Sequence, residues 1–367
     1  MYIYGDSIYQ VGDALVRTAQ DWMLATRDWL EVLQYGPDIP TGLSRREIIW
    51  SRNKSQLYHY LADTPHKYST PVFLVYALIN KAYILDLTPG SSLVEHLVNR
   101  GFDVYLLDWG EFEWEDRYTS FEELVLDHIR PAVRQAAQKA QSPDISILGY
   151  CMGGTFAAMY TALFEKPVVR NLICLASPLD FSNPGRFMGY DADRLVDTME
   201  LVPKSFISWG TRLLDPWGSY VGTFSRLWTK LEDERDAHHW RALYKWATDN
   251  VNFPGVAFRE WLRDLYQENK LVNGEIILGG RRVELGRIKA DLLAIAGTRD
   301  YVSPPYQIAP ALQYMSSRDK TYLEYQVGHG GVVLGATARD TIYPTIADWL
   351  AERSCRCADA QSMAPLH

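Results

Sequence analysis

Cysteine is scarce in this sequence: Cys151, Cys174, Cys355 and Cys357 are all there is in 367 residues. Four thiols cannot staple a chain of this length, and no C-x-x-C pair or His/Cys cluster at zinc spacing accompanies them. The expectation is a reduced, cytoplasmic protein. The opening stretch, MYIYGDSIYQVGDALVRT, lacks the basic start and apolar core of a secretory signal. Long hydrophobic runs are missing as well. The longest, such as PVFLVYALI (Pro71–Ile79), are too short to cross a bilayer, so the chain is not expected to be transmembrane. Positive charge is outnumbered, with 37 Lys and Arg against 45 Asp and Glu and a net charge of −8. That balance argues against a general nucleic-acid binder, yet leaves room for an anionic small molecule held by a local basic patch.

What is present is ordinary globular material. The chain is 47% hydrophobic and 22% charged, with 25 Gly and 18 Pro, which excludes collagen-like, low-complexity and disordered classes. Residues 8–34 carry Ile8, Val11, Leu15, Trp22, Leu30 and Leu33 at spacings near three, four and seven, predicting an amphipathic helix that YGPDIPTG (Tyr35–Gly42) ends. It either packs on its own domain or docks a partner. From Ile48 onward, short apolar runs alternate with helical patterns. EIIWSRN and KSQLYHYL predict an opening pair of strands. PVFLVY, DVYLLDW, ISILGY and VVRNLICLAS predict buried strands, with helices between them at Ser91–Gly101, Ser120–Ala140 and after Gly153. Ser120 and Glu123 have the spacing of a capping box. Apolar strands without polar alternation, separated by helices, predict an α/β fold with a mostly parallel sheet covered on both faces.

The rhythm stops over residues 181–285, which hold Trp209, Trp217, Trp228, Trp240, Trp246 and Trp261, six of the twelve tryptophans. It resumes with DLLAIAG (Asp291–Gly297) and TYLEYQV (Thr321–Val327). The division expected is an N-terminal helical segment (1–41), a core (42–180 and 286–352), an inserted helical cap (181–285) and a frayed tail (353–367). Aromatic residues in such a cap serve either as its core or as an apolar lid that keeps water from the site beneath.

The most informative string is LGYCMGG (Leu148–Gly154), set between a buried strand and a helix. It has the G-x-nucleophile-x-G form of a nucleophile elbow, with Cys151 in the place usually held by serine. Gly149 and Gly153 leave room for a sharp strand-to-helix turn. The helix N-terminus and a nearby base would both favour the thiolate. An elbow predicts an acid and then a histidine further along the chain. Asp300 lies on the loop after DLLAIAG, and His329 lies in GHGG after the next strand. The order Cys151, Asp300, His329 fits. His128, His238, His239, His59, His66, His96 and His367 compete less well by position. The oxyanion donors expected are the backbone N–H of Met152 and one from the loop at Ala77, Leu78 and Ile79. Cys174, inside NLICLAS, reads as a small buried hydrophobe.

The choice of cysteine carries chemical meaning. A thiol attacking a thioester exchanges one thioester for another at little energetic cost and keeps the acyl group activated. Its later transfer to an alcohol is downhill. Cysteine therefore favours acyl transfer from a thioester donor, although some elbow hydrolases use it too.

VYALINKAYILDLTPGSSLVEHL, GFDVYLLDWG, LGYCMGG and FREWLRDLYQENKLVNGE together resemble the polyhydroxyalkanoate synthases, specifically the short two-component classes III and IV, over roughly residues 42–352. The resemblance implies an α/β-hydrolase fold with a mobile cap and polymerisation of (R)-3-hydroxyacyl-CoA, such as 3-hydroxybutyryl-CoA, into polyester. Cys151 would carry the acyl group and His329 would act as general base. Asp300 would orient His329 or help activate the incoming hydroxyl. No metal or cofactor is implied, since CoA enters as part of the substrate and leaves as product. The implied partners are the nascent polyester, an accessory synthase subunit, a second copy in a homodimer and the surface of a polymer granule in the cytoplasm. Tyr301 and Pro305 depart from the family pattern, where His and Trp are frequent. The rivals are a thioesterase or polyester depolymerase using the same three residues with water, and a silent scaffold that binds lipid or a partner.

Overall fold

The computed structural model describes residues 39–184, 192–207 and 234–354. The helix expected over 8–34, Trp209, Trp217 and Trp228, and residues 355–367 with their two cysteines lie outside these segments.

Eight strands form one sheet: β1 (Arg46–Arg52), β2 (Ser55–Tyr60), β3 (Val72–Val75), β4 (Val104–Asp108), β5 (Asp144–Tyr150), β6 (Val168–Leu175), β7 (Asp291–Gly297) and β8 (Lys320–Tyr325). Their spatial order is β1-β2-β4-β3-β5-β6-β7-β8. β2 runs antiparallel to β1 and to β4, and the rest of the sheet is parallel. The opening pair and the four apolar runs thus fall where their composition puts them. Every residue of β3 is buried, because a central parallel strand has both faces covered. β1 and β8 lie at the two edges and are largely exposed or half-buried.

Helix α1 (Leu93–Asn99) begins at Ser92, whose hydroxyl accepts the Glu95 N–H at 2.9 Å and satisfies one of the four donors a helix start leaves open. The helical run after Ser120 is π-type over Glu123–Ile129 and becomes α-helical as α2 over Arg130–Lys139. Ser120 Oγ accepts the Glu123 N–H at 3.3 Å, the forward half of the expected box. Helix α3 (Met152–Leu163) follows β5 directly, and all twelve of its residues are buried. A helix apolar on every side must be wrapped by other elements, and this one packs on β3, β5 and β6 beneath the segment that follows β6.

Between β6 and β7 the described chain is mainly helical: α4 (Ala192–Met199), α5 (Glu234–Thr248) and α6 (Gly255–Arg259), the last continuing as a π-helix over Glu260–Gln267. Trp261, in that continuation, lies with its ring centroid 6.1 Å from Phe156 of α3 and 6.3 Å from Phe121, and Phe181 meets it edge-on at 5.9 Å. Trp246 donates its indole N–H to the Lys81 carbonyl at 2.9 Å. Both tryptophans therefore tie this region to the core. Fully burying one aromatic ring such as Phe156 contributes about 2–3 kcal/mol.

Candidate active site

Cys151 stands between the last residue of β5 and the first of α3. Its backbone has φ 54° and ψ −128°, a left-handed conformation that a side chain adopts only under constraint. The constraint is legible in its neighbours. A Cβ on Gly149 would come within 2.2 Å of the Gly154 Cα, and one on Gly153 within 2.1 Å of the Val75 carbonyl oxygen. The bend is so tight that strand and helix backbones nearly touch, and the helix start presses on the end of β3. A thiol is thereby held at the positive end of a helix, at the C-terminal edge of the sheet.

The loops after β7 and β8 bring up the two other groups. Beyond the strands, the Thr298 N–H donates to the Tyr325 carbonyl at 2.9 Å and the Arg299 N–H to the Val327 carbonyl at 3.0 Å. These bonds hold the two loops together. Asp300, whose side chain is fully shielded from solvent, accepts the N–H groups of Val302 and Ser303 on Oδ1, both at 2.8 Å. Its Oδ2 accepts the His329 Nδ1–H at 2.7 Å. With both carboxylate oxygens occupied, the acid has little freedom and fixes which imidazole nitrogen carries the proton. The Cys151 sulfur lies near enough to the ring to act on its charge. Burial alone would disfavour a charged ring. The Asp300 carboxylate and the Cys151 sulfur outweigh it and hold the imidazole well above the ordinary histidine range.

The structure thus brings Cys151, Asp300 and His329 together, and it shows where the competing groups are. His128 is buried against the Ser55 hydroxyl at 3.0 Å, and His59 is engaged by Glu47 and Asp103. Cys174 lies in β6 with its thiol pushed up to about 12 by burial, as suits an inert small side chain.

Of the residues singled out for backbone donors, Met152 is the first of α3, so its N–H is among those a helix leaves open. Ala77 and Leu78 are buried and Ile79 is half-buried in the loop after β3. The Tyr76 carbonyl accepts the Trp109 indole N–H at 2.9 Å, so across the trans peptide the Ala77 N–H points the opposite way. The Ile79 carbonyl accepts the Val251 N–H at 3.1 Å and Asn80 bonds Asn250 at 2.7 Å, so the segment after α5 braces this loop.

Two site residues escape a reading by motif. Tyr150 donates its hydroxyl to the His329 carbonyl at 3.1 Å, and its ring lies between His329 at 5.3 Å and Tyr76 at 5.6 Å. The only sequence signal for Tyr150 is its position beside Cys151. Burial, with the neighbouring phenol and the sulfur adding to it, keeps the Tyr150 hydroxyl well above its usual range, so it stays a neutral donor.

A thiol on a strand-to-helix turn, paired with an imidazole and a carboxylate above a mostly parallel sheet, defines an α/β-hydrolase-fold protein with a cysteine elbow. The alpha/beta hydrolase fold model matches residues 70–336, and that of the poly-beta-hydroxybutyrate polymerase (PhaC) N-terminus matches residues 32–97. Solved structures share the fold. A monoacylglycerol lipase from Paleococcus ferrophilus aligns over 78% of this chain and 98% of its own, with TM-score 0.51 and 20% identity. A thermophilic esterase from Thermogutta terrifontis aligns over 85% of this chain and 100% of its own, with TM-score 0.51 and 14% identity. Sequence relatives are more specific. The poly(3-hydroxyalkanoate) polymerase subunit PhaC of Thiocystis violacea is 30% identical over 350 residues, 93% of this chain and 98% of that protein. The same subunit from Synechocystis is 30% identical, covering 86% of each chain. The Haloferax mediterranei subunit is 34% identical over 86% of this chain, which spans 66% of that longer relative. The chain belongs to the poly(3-hydroxyalkanoate) polymerase family, as a PhaC-type subunit, and is an enzyme.

Proposed function

We propose that the chain polymerises (R)-3-hydroxyacyl-CoA, with 3-hydroxybutyryl-CoA or a close homologue as monomer, by covalent transfer through Cys151. The observation that carries this reading is the Asp300–His329 hydrogen bond beside Cys151 at the elbow of a PhaC-family chain. His329 takes the thiol proton and the thiolate attacks the thioester carbonyl. The carbon–sulfur bond to CoA breaks, and the departing CoA thiolate takes the proton from His329. N–H groups of Met152 and of the Ala77–Ile79 loop hold the oxyanion in between. His329, oriented by Asp300, then removes a proton from a 3-hydroxyl. The alkoxide attacks an acyl-thioester, an ester forms, and the thiolate is released to take the proton back. The segment 181–285 acts as the cap that keeps water out, since an acyl-enzyme awaiting an alcohol must be shielded from hydrolysis.

The same reading includes a small accessory subunit of the class III or IV type, a homodimer, and work at a granule surface. The relatives' designation as subunits, one of them matched over 98% of its length, supports the two-component part. Among the described residues no helix is long and apolar enough to cross a membrane, so attachment would be peripheral. The test is purified protein with 3-hydroxybutyryl-CoA, with and without each accessory subunit type. Growing insoluble polyester and CoA release are expected, and Cys151→Ala should abolish both. Free hydroxy acid as the main product would favour a hydrolase. Undiminished CoA release by Cys151→Ala would remove the thiol from the chemistry.

A further inference from the structure

A second cluster of chemically active side chains lies at the opposite end of the sheet. His59 is the penultimate residue of β2, Asp103 precedes β4, and His66 sits on the connection from β2 to β3. One ligand atom from each lies within 4.8 Å of the other two. His59 Nε2 is 2.8 Å from Asp103 Oδ1, and His66 Nε2 is 3.4 Å from the same oxygen. Val104 is level with Ser146 across β3, while Cys151 lies five residues beyond Ser146. The cluster is therefore roughly 17 Å along the strands from the nucleophile and separate from its chemistry.

The cluster has a feature that calls for a cation. His59 faces a carboxylate with each ring nitrogen: Nδ1 meets Glu47 Oε1 at 3.1 Å, and Nε2 meets Asp103. With Nδ1–H donating to Glu47, Nε2 and Asp103 Oδ1 face each other across a position that either a second ring proton or a metal ion can fill. We propose that this position takes a divalent transition ion of the zinc type, bound by His59 Nε2, His66 Nε2 and Asp103 Oδ1.

The surroundings are those such a site uses. A metal-bound imidazole ordinarily gives its other N–H to a carboxylate, and Glu47 provides one. Asp103 is aimed by the Tyr105 hydroxyl, which donates to Oδ2 at 2.8 Å, and the Tyr105 ring stacks on His59 at 4.7 Å. The segment bearing His66 is tied down on both sides, by the Leu61 N–H on the Arg45 carbonyl at 2.8 Å before it and by the Lys67 N–H on the Gly101 carbonyl at 2.8 Å after it. Tetrahedral zinc with bonds of about 2.0–2.1 Å separates its ligand atoms by about 3.3 Å. His66 and Asp103 already meet that spacing, His59 Nε2 has to draw back from Asp103 Oδ1 by about 0.5 Å, and the two imidazoles are within 4.8 Å of each other. His66 retains a third of its side-chain exposure, so solvent can complete the coordination there. The ion would clamp the β2–β3 connection to the start of β4.

The full chain carrying Cys151→Ala, Cys355→Ser and Cys357→Ser serves as parent, because those thiols could bind zinc themselves. After chelator treatment it is dialysed against zinc and its metal content measured. It is then titrated with cobalt as a spectroscopic probe. One equivalent of zinc is expected, with cobalt d–d bands and no sulfur charge-transfer band. His66→Ala should lose that equivalent while keeping the metal-free melting temperature. Glu47→Gln should weaken binding by about 10- to 100-fold. A parent that takes up no zinc overturns the proposal and leaves a proton as the cation. So does equal zinc content in the parent and a folded His66→Ala.

Discussion

At the scale of single residues, the site depends on how few degrees of freedom each group keeps. Cys151 is fixed by its own backbone and Asp300 by the bonds at both its oxygens, so His329 is the member whose placement can still drift. Tyr150 limits that drift. Its hydroxyl grips the His329 carbonyl, and it is the residue next to Cys151, so imidazole and thiol are referenced to the same strand end. Tyr150→Phe removes one hydrogen bond, worth about 1 kcal/mol. The expected outcome is a kcat lowered about 5- to 10-fold with KM for the acyl-CoA nearly unchanged, read from steady-state CoA release. The approach of Asp300 and His329 to the turn at Cys151 was legible in the sequence because an elbow motif prescribes both the residue types and their order along the chain. Tyr150 and Tyr76 were not, because a phenol's partner across 179 residues leaves no mark on local pattern. The cluster at His59, His66 and Asp103 was invisible for the same reason.

At the scale of elements, apolar runs located the central strands of the sheet to within a few residues, since a strand covered on both faces has no polar position to confuse the pattern, while the exposed edge strands β1 and β8 carry a mixed pattern. The helices were found but not their winding. The run after Ser120 reads as one α-helix, yet Glu123–Ile129 is π-helical and lies just before Pro131. Ala338–Ile342 is likewise π-helical just before Pro344. A proline inside a helix lacks the N–H and crowds the carbonyl four residues back, and a wider turn ahead of it relieves that contact. The elbow shows the opposite case, where composition fixed the geometry. Gly153→Ala would drive a methyl group to 2.1 Å from a backbone oxygen of β3, which cannot rotate away. Loss of soluble protein, or a fall of several degrees in melting temperature, is expected. A variant as stable as the parent would show that the turn is looser than it looks.

At the scale of the whole molecule, the insertion between β6 and β7 is joined to the core by buried groups as well as by packing. The Glu260 carboxylate accepts the Phe121 N–H at 2.6 Å, linking the helix that carries Trp261 to the start of the helical run after Ser120. Burial pushes the Glu260 carboxyl up to about 7, against the pull of that N–H. A raised folded-state value means the native protein holds this proton where the unfolded chain, near 4.5, has released it. The contribution of Glu260 to stability is therefore fully present below pH 4.5 and is lost as the pH rises to about 7. Glu260→Gln keeps an acceptor for Phe121 and removes the titration. Its melting temperature should exceed that of the parent above pH 7, with the difference shrinking toward pH 5. The pairing of the loops after β7 and β8 has a consequence for how the enzyme comes into being. During synthesis the thiol at residue 151 emerges long before the acid at 300 and the imidazole at 329. On the proposed mechanism a nascent chain carries an ordinary cysteine without its base, and reactivity would begin only when the last edge strand docks on the finished sheet.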